Sequence, residues 1–241
     1  MTDREFFEQT DFSFEITGGS GEIVIRPYID IVSDRPRTLI ASFQVDALEM
    51  IESARIPLNA GGNHVPFRQT VRIVKPLLWQ PNGTGTPSLY SFAVVFHRKG
   101  EPFYLIEKRV GIRFVEARPG ELFFRVNGND IRLIRCEPDF SLDEKEFERR
   151  LSGNLVCLRD SDSDLDRKLE YCARAGLMAV LALTGAADPG RFSSQPGVCL
   201  FTAEPGSAGE RLYWQSGKTD LLPLFTGEEL NLLLNDNGLK V

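Results

Sequence analysis

The sequence is poor in the side chains that most often carry chemistry at neutral pH. It has 2 histidines and 4 cysteines in 241 residues. The cysteines are Cys136, Cys157, Cys172 and Cys199. They form no C-x-x-C pair, and neither His64 nor His97 lies near a cysteine in the sequence. The pattern therefore predicts neither a metal site nor a cofactor. We expect small buried thiols in a cytoplasmic protein.

Strong charge and long apolar runs are also missing. The net charge is −6, which argues against a nucleic-acid or anionic membrane surface. No apolar run approaches the roughly 20 residues that a membrane-spanning helix needs. Residues 1–5 lack the basic and apolar regions of a signal peptide, so we expect a cytoplasmic protein. With 42% hydrophobic and 26% charged residues, the composition is that of a globular protein.

The first half of the chain has the pattern of an all-β domain. Runs rich in β-branched and aromatic residues occupy 12–16, 22–29, 38–45, 71–74, 89–96 and 103–106. Turn-forming residues separate them, and 59–64 is expected to be a loop. About seven short strands are enough for an immunoglobulin-like sandwich, predicted over 11–118 after a flexible N-terminus at 1–10.

One stretch of this half carries a family resemblance. It contains Pro76-Leu77-Leu78-Trp79-Gln80-Pro81, then Gly85 and Pro87, then Leu89-Tyr90, and finally Gly111-Ile112-Arg113. In order and spacing this resembles the immunoglobulin-like sandwich of glycoside hydrolase family 2, which includes β-galactosidases, β-mannosidases and β-glucuronidases. The resemblance implies that a (β/α)₈ barrel begins after the sandwich.

The second half alternates between strand and helix patterns, as a barrel requires. Asn127-Gly128 predicts a hairpin. Apolar strands are predicted at 155–158, 177–183 and 198–201, and helices at 142–151 and 164–175. Ser141 and Glu144 are predicted to cap the first helix, and Gly176 to end the second. The fold class is therefore multidomain β plus α/β, with a sandwich followed by a partial TIM-barrel-like domain over 119–241.

Two features of this second half allow further predictions. The link between the third and fourth barrel strands has only about a dozen residues, so its helix must be short or missing. In the tail, 211–215 is predicted to be a strand. Thr226 and Glu229 form a capping box that opens a leucine-rich helix at 227–236, and Asn237-Gly238 closes it.

The resemblance also implies where a catalytic carboxylate would lie. Retaining family members use two glutamates about 5 Å apart. Glu204, after the fourth barrel strand, matches the acid/base position, but Ala203 replaces the preceding asparagine. Cys157 stands where the family has a sugar-contacting arginine, and Arg135-Cys136-Glu137 replaces the G-x-N segment. No position matches the nucleophile, because the chain ends near the fifth strand.

The preferred interpretation is a catalytically incomplete relative that acts as a carbohydrate-related binding or scaffold module. The alternative is an active β-glycosidase that combines Glu204 with Glu210, Glu228, Glu229 or a carboxylate of a second chain.

Asp160-Ser161-Asp162-Ser163-Asp164 is interpreted as a helix-capping loop rather than a calcium site. Partners are expected to be carbohydrate or protein, with no nucleic acid or membrane, and a homodimer is predicted through the C-terminal half.

Overall fold

The protein was analysed as a computed structural model that describes residues 3–46, 49–117, 124–185, 188–193, 195, 197–215 and 222–236. The chain divides into two compact units. The first unit contains Met1–Pro76 and Tyr90–Arg109, and the second contains Leu77–Leu89 and Val110–Val241. The tryptophan-containing loop, which the sequence pattern grouped with the sandwich, therefore belongs to the second unit.

The first unit is built from two antiparallel sheets. One sheet has the order β1-β2-β5, with β6 also paired to β2, and the other has the order β4-β3-β7-β8. The strands are β1 (Asp11–Gly19), β2 (Glu22–Ser33), β3 (Arg37–Val45), β4 (Glu49–Leu58), β5 (Gly61–Pro66), β6 (Val71–Val74), β7 (Tyr90–Arg98) and β8 (Glu101–Val110). Alternate residues of these strands are buried, as in a sandwich with one face of each sheet toward the core.

Aromatic side chains fill the core of the first unit. Phe43 lies at its centre, with its ring centroid 6.0 Å from that of Phe12 and 5.6 Å from that of Phe92. All three side chains are fully buried. Edge-to-face contacts of this kind stabilise the core beyond the area that the rings bury.

Two predictions for this unit are wrong. Residues 3–8, expected to be flexible, form helix α1 (Asp3–Glu8), because Phe6 and Phe7 are buried against the sandwich. The expected loop at 59–64 is largely β5, which pairs with β2 from Gly61 to Pro66.

The second unit contains a four-stranded parallel sheet and a three-stranded antiparallel sheet. The parallel sheet has the order β12-β13-β14-β15, and the antiparallel sheet has the order β11-β10-β9. The strands are β9 (Val115–Ala117), β10 (Phe124–Val126), β11 (Asn129–Asp130), β12 (Leu155–Arg159), β13 (Met178–Ala182), β14 (Val198–Thr202) and β15 (Leu224–Phe225). Asn127 and Gly128 turn between β10 and β11 with φ of 56° and 78°, which confirms the predicted hairpin.

Five helices accompany these strands in the described part of the second unit. They are α2 (Glu144–Arg150), α3 (Leu165–Ala175), α4 (Pro189–Ser193), α5 (Ala208–Gln215) and α6 (Gly227–Asp236). The predicted short helix between the third and fourth barrel strands is α4. The strand predicted at 211–215 is wrong, because these residues belong to α5. The cap of α2 is Asp143 rather than Ser141, since its carboxylate accepts from the Glu146 backbone N–H at 3.1 Å.

Both faces of the parallel sheet are buried, as its apolar strands require. The helix face carries Val156, Leu158, Ala179 and Leu181, which share a cluster with side chains of α2, α3, α4 and α5. The inner face carries Leu155, Met178, Val180 and Leu200. These four pack in a second cluster with Trp79, with the β10–β11 hairpin and with Leu230 of α6. The predicted fold class, a β-sandwich plus a partial α/β domain, is confirmed.

A helix that crosses a bilayer needs roughly 20 apolar residues. None of the helices in the described residues is both long enough and apolar enough to cross it.

Candidate functional site

The carboxyl ends of the parallel strands define the candidate site, because active sites of barrel enzymes lie at this edge. The register aligns Arg159, Ala182 and Thr202 across β12, β13 and β14. Thr202 in turn pairs with Phe225 on β15. Arg159 is exposed, whereas Ala182 and Thr202 are half-buried. The edge is therefore partly accessible.

Glu204 lies at this edge, two residues beyond the end of β14. Its side chain is exposed. Its backbone carbonyl accepts a hydrogen bond from Ser207 N at 3.0 Å, which begins the turn into α5. Within the described residues, no hydrogen bond or ion pair involves the Glu204 carboxylate. The Glu204 side chain is therefore exposed and makes none of the contacts that would position a general acid against a substrate.

The other candidate carboxylates have structural roles. Glu210 Oε2 accepts from Gly206 N, while Glu210 N donates to Ser207 Oγ at 3.1 Å. These two bonds cap the start of α5 in the manner of a capping box, except that the glutamate accepts from Gly206, the residue before Ser207. Their geometry commits the Glu210 carboxylate to the backbone of its own helix.

Glu229 forms a reciprocal capping box with Thr226 at the start of α6. Its Oε2 accepts from Thr226 N at 2.7 Å, and its backbone N donates to Thr226 Oγ1 at 3.2 Å. The predicted Thr226 capping box is thereby confirmed. Glu228 is exposed in the first turn of the same helix.

The aspartate-rich loop after β12 ties two strand ends together. The Asp160 carboxylate accepts from Thr184 N at 2.9 Å and from Gly185 N at 2.7 Å. Asp164 is the N-cap residue of α3, but its side chain makes no capping bond, so the predicted capping role is wrong for that carboxylate. Asp162 instead accepts from Arg159 N at 3.3 Å. Across the described residues, no group of three or more metal-ligating side chains is arranged to hold an ion.

The positions that match the family's sugar contacts lie on or beside the inner face. Arg135 forms a parallel bridge with Leu155. Cys157 is exposed, so the prediction of a buried thiol is wrong at this position. Cys136, Cys172 and Cys199 are buried as expected. Burial raises the pKa of the Cys136 thiol, which therefore stays protonated and weakly nucleophilic at neutral pH.

The motif around Trp79 has an internal structural role. Trp79 is fully buried, and its Nε1–H donates to Ala173 O at the end of α3 with a distance of 2.7 Å. Asn82 N donates to Gly176 O at 2.6 Å. Gly176 has φ of 69°, and a Cβ there would lie 2.8 Å from Asn82 N, so only glycine fits this contact. The loop is thus bound to the C-terminus of α3.

Two further polar residues, whose roles sequence reasoning missed, bind this region to the strands. Asn127 Nδ2 donates to Trp79 O at 2.9 Å, and its Oδ1 accepts from Phe114 N at 3.0 Å. Arg113, the last residue of the family motif, donates to Gln195 O at 2.8 Å and to Val198 O. Burial lowers the pKa of its guanidinium. These contacts join residues far apart in the sequence, and no local sequence pattern predicts them.

Both histidines belong to the first unit, whereas the candidate strand edge belongs to the second. His97 Nε2 lies 2.9 Å from Ser42 Oγ, and the ring is half-buried. His64 stacks on Tyr28 with a centroid distance of 4.4 Å, and its Nδ1 lies 2.5 Å from Asp30 Oδ1.

Comparison with known proteins supports the resemblance carried by the sandwich motif. The sequence model of Glycosyl hydrolases family 2 matches residues 38–113. The match covers the strands of the first unit from β3 to β8 and the loop that contains Trp79. β-Mannosidase B of Aspergillus terreus is 40% identical over 119 residues, which are 42% of this chain and 14% of that protein. β-Mannosidase B of Aspergillus flavus is 30% identical over 122 residues, or 43% of this chain and 14% of that protein.

Solved structures show the same fold over most of the chain. The exo-chitosanase CsxA of Amycolatopsis orientalis superposes with a TM-score of 0.70 at 16% identity, covering 90% of this chain and 32% of that chain. The β-D-mannosidase of Dictyoglomus thermophilum has a TM-score of 0.61 at 18% identity, covering 92% of this chain and 35% of that chain. The chain thus spans about one seventh of the length of the curated relatives and about a third of that of these structures.

Proposed function

We propose that this family 2 chain is catalytically incomplete and acts as a binding or scaffold module for carbohydrate. The observation that carries the proposal is the use of Glu210 and Glu229 as capping residues. Each binds the backbone at the start of its own helix. Retaining hydrolysis needs two free carboxyl groups about 5 Å apart across the bond that is cleaved. Glu210 and Glu229 are therefore not available as the second carboxyl group that Glu204 would need.

The ligand class of the proposal comes from the relatives. The similar curated proteins are β-mannosidases, and a similar structure is an exo-chitosanase. We therefore propose β-linked mannose or glucosamine saccharides as ligands, bound at the carboxyl edge of the parallel sheet. Arg159, Thr202 and Glu204 supply donor and acceptor groups there, and hydroxyl-rich ligands need both. We place the protein in the cytoplasm, in keeping with its four free cysteines.

Turnover assays test the catalytic part of the proposal. Nitrophenyl β-mannoside, β-glucosaminide, β-galactoside and β-glucuronide would be incubated with the wild-type chain, and we expect release no faster than in buffer. Turnover that disappears in Glu204→Gln but persists in Glu210→Gln would overturn the proposal. Turnover that both variants retain would come from a contaminating enzyme and would leave the proposal intact.

Binding assays test the remaining part. Titration with mannobiose and chitobiose is expected to give saturable binding that weakens in Thr202→Val, which removes a hydroxyl with little change in shape. The matched control is Thr84→Val, whose hydroxyl donates to Pro81 O away from the sheet edge. Equal binding by the two variants would refute the assignment of the site.

The alternative function is an active β-glycosidase, in which Glu228 would be the second carboxylate. Glu228 is the one candidate of the three that is exposed. Glu228→Gln would then abolish turnover together with Glu204→Gln. We favour the binding module because a carboxylate in the first turn of α6 interacts favourably with the helix dipole and needs no catalytic explanation.

A further inference from the structure

The inner face of the parallel sheet is covered at one end of β12 and open at the other. At the amino end, Leu155 is fully buried in the inner-face cluster with Met178. Side chains alternate between the two faces of a strand, so Cys157 and Arg159 point to the same face as Leu155. Both of these residues are exposed. The open part of the inner face therefore adjoins the carboxyl edge, where we place the saccharide.

Arg135 lies on the same face, in the segment beside β12. It forms a parallel bridge with Leu155. Leu133, two residues earlier, packs in the inner-face cluster, whereas Cys136 packs in the cluster on the helix face. The alternation thus directs Arg135 to the inner face. Burial raises the pKa of the Cys157 thiol and the charge of Arg135 opposes that shift, so the guanidinium lies near the thiol.

Both arginines are available to a ligand. They are exposed, and their guanidinium groups form no hydrogen bond or ion pair with any residue that the structure describes. By contrast, Arg174 donates to Glu144 at 2.7 Å in the same unit. A guanidinium is always charged, and its planar set of donors matches a carboxylate. Arg135 and Arg159 therefore supply two unpaired cationic groups on one face of the sheet.

The spacing of the two arginines indicates the length of the ligand. Arg135 bridges Leu155, and Arg159 lies four residues further along β12. A strand rises about 3.3 Å per residue, so the two side chains start roughly 13 Å apart along the strand. Two linked sugar rings can place one anionic group near each guanidinium, whereas a single ring is too short.

The nearby carboxylates leave the arginine side of the face positive. Glu204 follows β14, and β13 lies between β14 and β12, with neighbouring strands about 4.8 Å apart. Glu137 is exposed two residues after Arg135 but forms no ion pair with it. Ammonium groups on a ligand would be repelled by the guanidinium groups. A carboxylate only accepts hydrogen bonds and pairs with arginine through both oxygens, so it fits this side best.

We propose that the saccharide bound at this edge is acidic, a β-linked mannose-type disaccharide with a carboxylate on each ring. One carboxylate accepts from Arg159 at the rim, and the other accepts from Arg135 deeper on the inner face. This inference rests on the sugar-binding function proposed above and selects among its ligands.

Calorimetric titration of the whole chain with matched β-1,4-linked disaccharides tests the inference. Dimannuronate has a carboxylate on each ring, mannobiose has hydroxymethyl groups in their place, and the glucosamine dimer carries ammonium groups. We expect dimannuronate to bind at least about tenfold more tightly than mannobiose, because one charge-assisted hydrogen bond accounts for that factor. The glucosamine dimer should bind most weakly. Mannobiose that binds as tightly as dimannuronate would overturn this inference and leave the sugar-binding function standing, whereas no saturable binding of any of them would refute both.

Substitutions locate the two carboxylates. Arg159→Gln and Arg135→Gln should each weaken dimannuronate about tenfold and mannobiose less than about twofold. Both side chains are exposed and unpaired, so the variants should fold like the wild type. Arg132→Gln is the matched control, because it removes an exposed arginine that precedes Leu133 and therefore points to the opposite face. Equal losses in the Arg132 and Arg135 variants would refute the site.

The exposed thiol gives a second test that needs no sugar. Cys157 is exposed, whereas the other cysteines are buried. An anionic aromatic disulfide should label it faster than a neutral one, and Arg135→Gln should reduce the ratio of the two rates about threefold, as expected for the loss of one nearby charge in water. Arg132→Gln should leave that ratio nearly unchanged. A ratio that Arg135→Gln does not alter would overturn the placement of Arg135 beside the thiol.

Discussion

The two units differ in the reach of their buried polar side chains, because Thr10 and Ser33 of the first unit bond only to the nearby backbone oxygens of Phe6 and Arg35. In the first unit, strand pairing satisfies the backbone, and aromatic rings such as Phe43 and Phe92 fill the core. In the second unit, buried polar side chains bond directly to the backbone, as Trp79 does to Ala173 O and Asn154 to Arg132 O. Irregular segments lack a strand or helix partner for their backbone groups, so side chains take that role. The difference teaches that the second unit depends on a few specific polar contacts between segments that lie far apart along the sequence.

The largest expected effect comes from Trp79. Trp79→Ala removes a fully buried ring and should cost about 3–5 kcal/mol, as should Phe43→Ala in the first unit. The sharper comparison uses conservative changes. Trp79→Phe leaves the Ala173 carbonyl without its donor and should cost about 1–3 kcal/mol beyond the packing loss. Phe43→Leu should reduce the free energy of unfolding only through the packing that the smaller side chain loses. Urea unfolding followed by circular dichroism measures both, and equal costs would contradict the comparison.

Asn154 gives the next largest effect. Its Nδ2 donates to Arg132 O at 2.9 Å, and its Oδ1 accepts from Ile134 N at 2.8 Å. Asn154 is 6% exposed, and Asn154→Ala leaves two partly buried backbone groups without their partner, which should cost about 2 kcal/mol.

Asn63 is the matched control in the first unit. It donates to Asn59 O at 3.0 Å and accepts from Asn59 N at 2.8 Å, but both bonds lie at the surface, where water can replace them. Asn63→Ala should therefore cost less than about 1 kcal/mol. Urea unfolding that gives the two variants the same loss would show that the second unit has no special dependence on buried polar contacts.

A third difference between the units is the position of the thiols, all of which lie in the second unit. Burial raises the pKa of Cys136, Cys172 and Cys199. Above about pH 8.5 the unfolded chain loses these protons while the folded chain keeps them, so stability falls as pH rises. Below that pH the thiols are protonated in both states and contribute no pH dependence.

We therefore expect the melting temperature to decrease between about pH 8.5 and 10, with each buried thiol contributing up to about 1.4 kcal/mol per pH unit. Cys172→Ala should reduce this decrease, although the cavity it leaves lowers stability at every pH. Cys157→Ala is the comparison variant. Burial also raises the pKa of the Cys157 thiol, but the charge of Arg135 opposes that shift and the residue is exposed, so this variant should reduce the decrease less. Identical pH profiles for the wild type and Cys172→Ala would contradict the prediction.

The local signals in the sequence were sufficient for much of the fold. Asn127-Gly128 requires positive φ at both positions, and Gly176 fits only a left-handed helix end, so the turns they form could be predicted. Strand β5 could not, because Gly61, Gly62 and Asn63 have low strand propensity and become a strand only by pairing with β2. The aromatic run in α5 resembled a strand, but the capping box of Ser207 and Glu210 decides for helix.

The candidate site was less predictable than the fold. The position of Glu204 after β14 follows from the strand pattern, but its exposure depends on how the next turn leads into α5. The capping role of Glu210 depends on Gly206 and Ser207 adopting one particular turn. The roles of Arg113 and Trp79 depend on contacts between residues more than 80 positions apart along the sequence. Such contacts cannot be inferred from one sequence.

The smallest predicted effect concerns α6 and the assembly of the second unit. Leu230 is 7% exposed and packs in the inner-face cluster with Val180 and Leu200, so α6 covers part of its own sheet.

The homodimer through the C-terminal half stays a prediction, with an expected mass of twice 27.0 kDa by light scattering at micromolar concentration. Thr226→Ala removes the cap of α6 and should cost about 1 kcal/mol, which corresponds to a roughly fivefold weaker dimer. Ser207→Ala removes the equivalent cap of α5 at a similar cost and should leave the dimer unchanged. A wild-type mass of 27.0 kDa would refute the dimer, and equal weakening by both variants would show that α6 is not part of its interface.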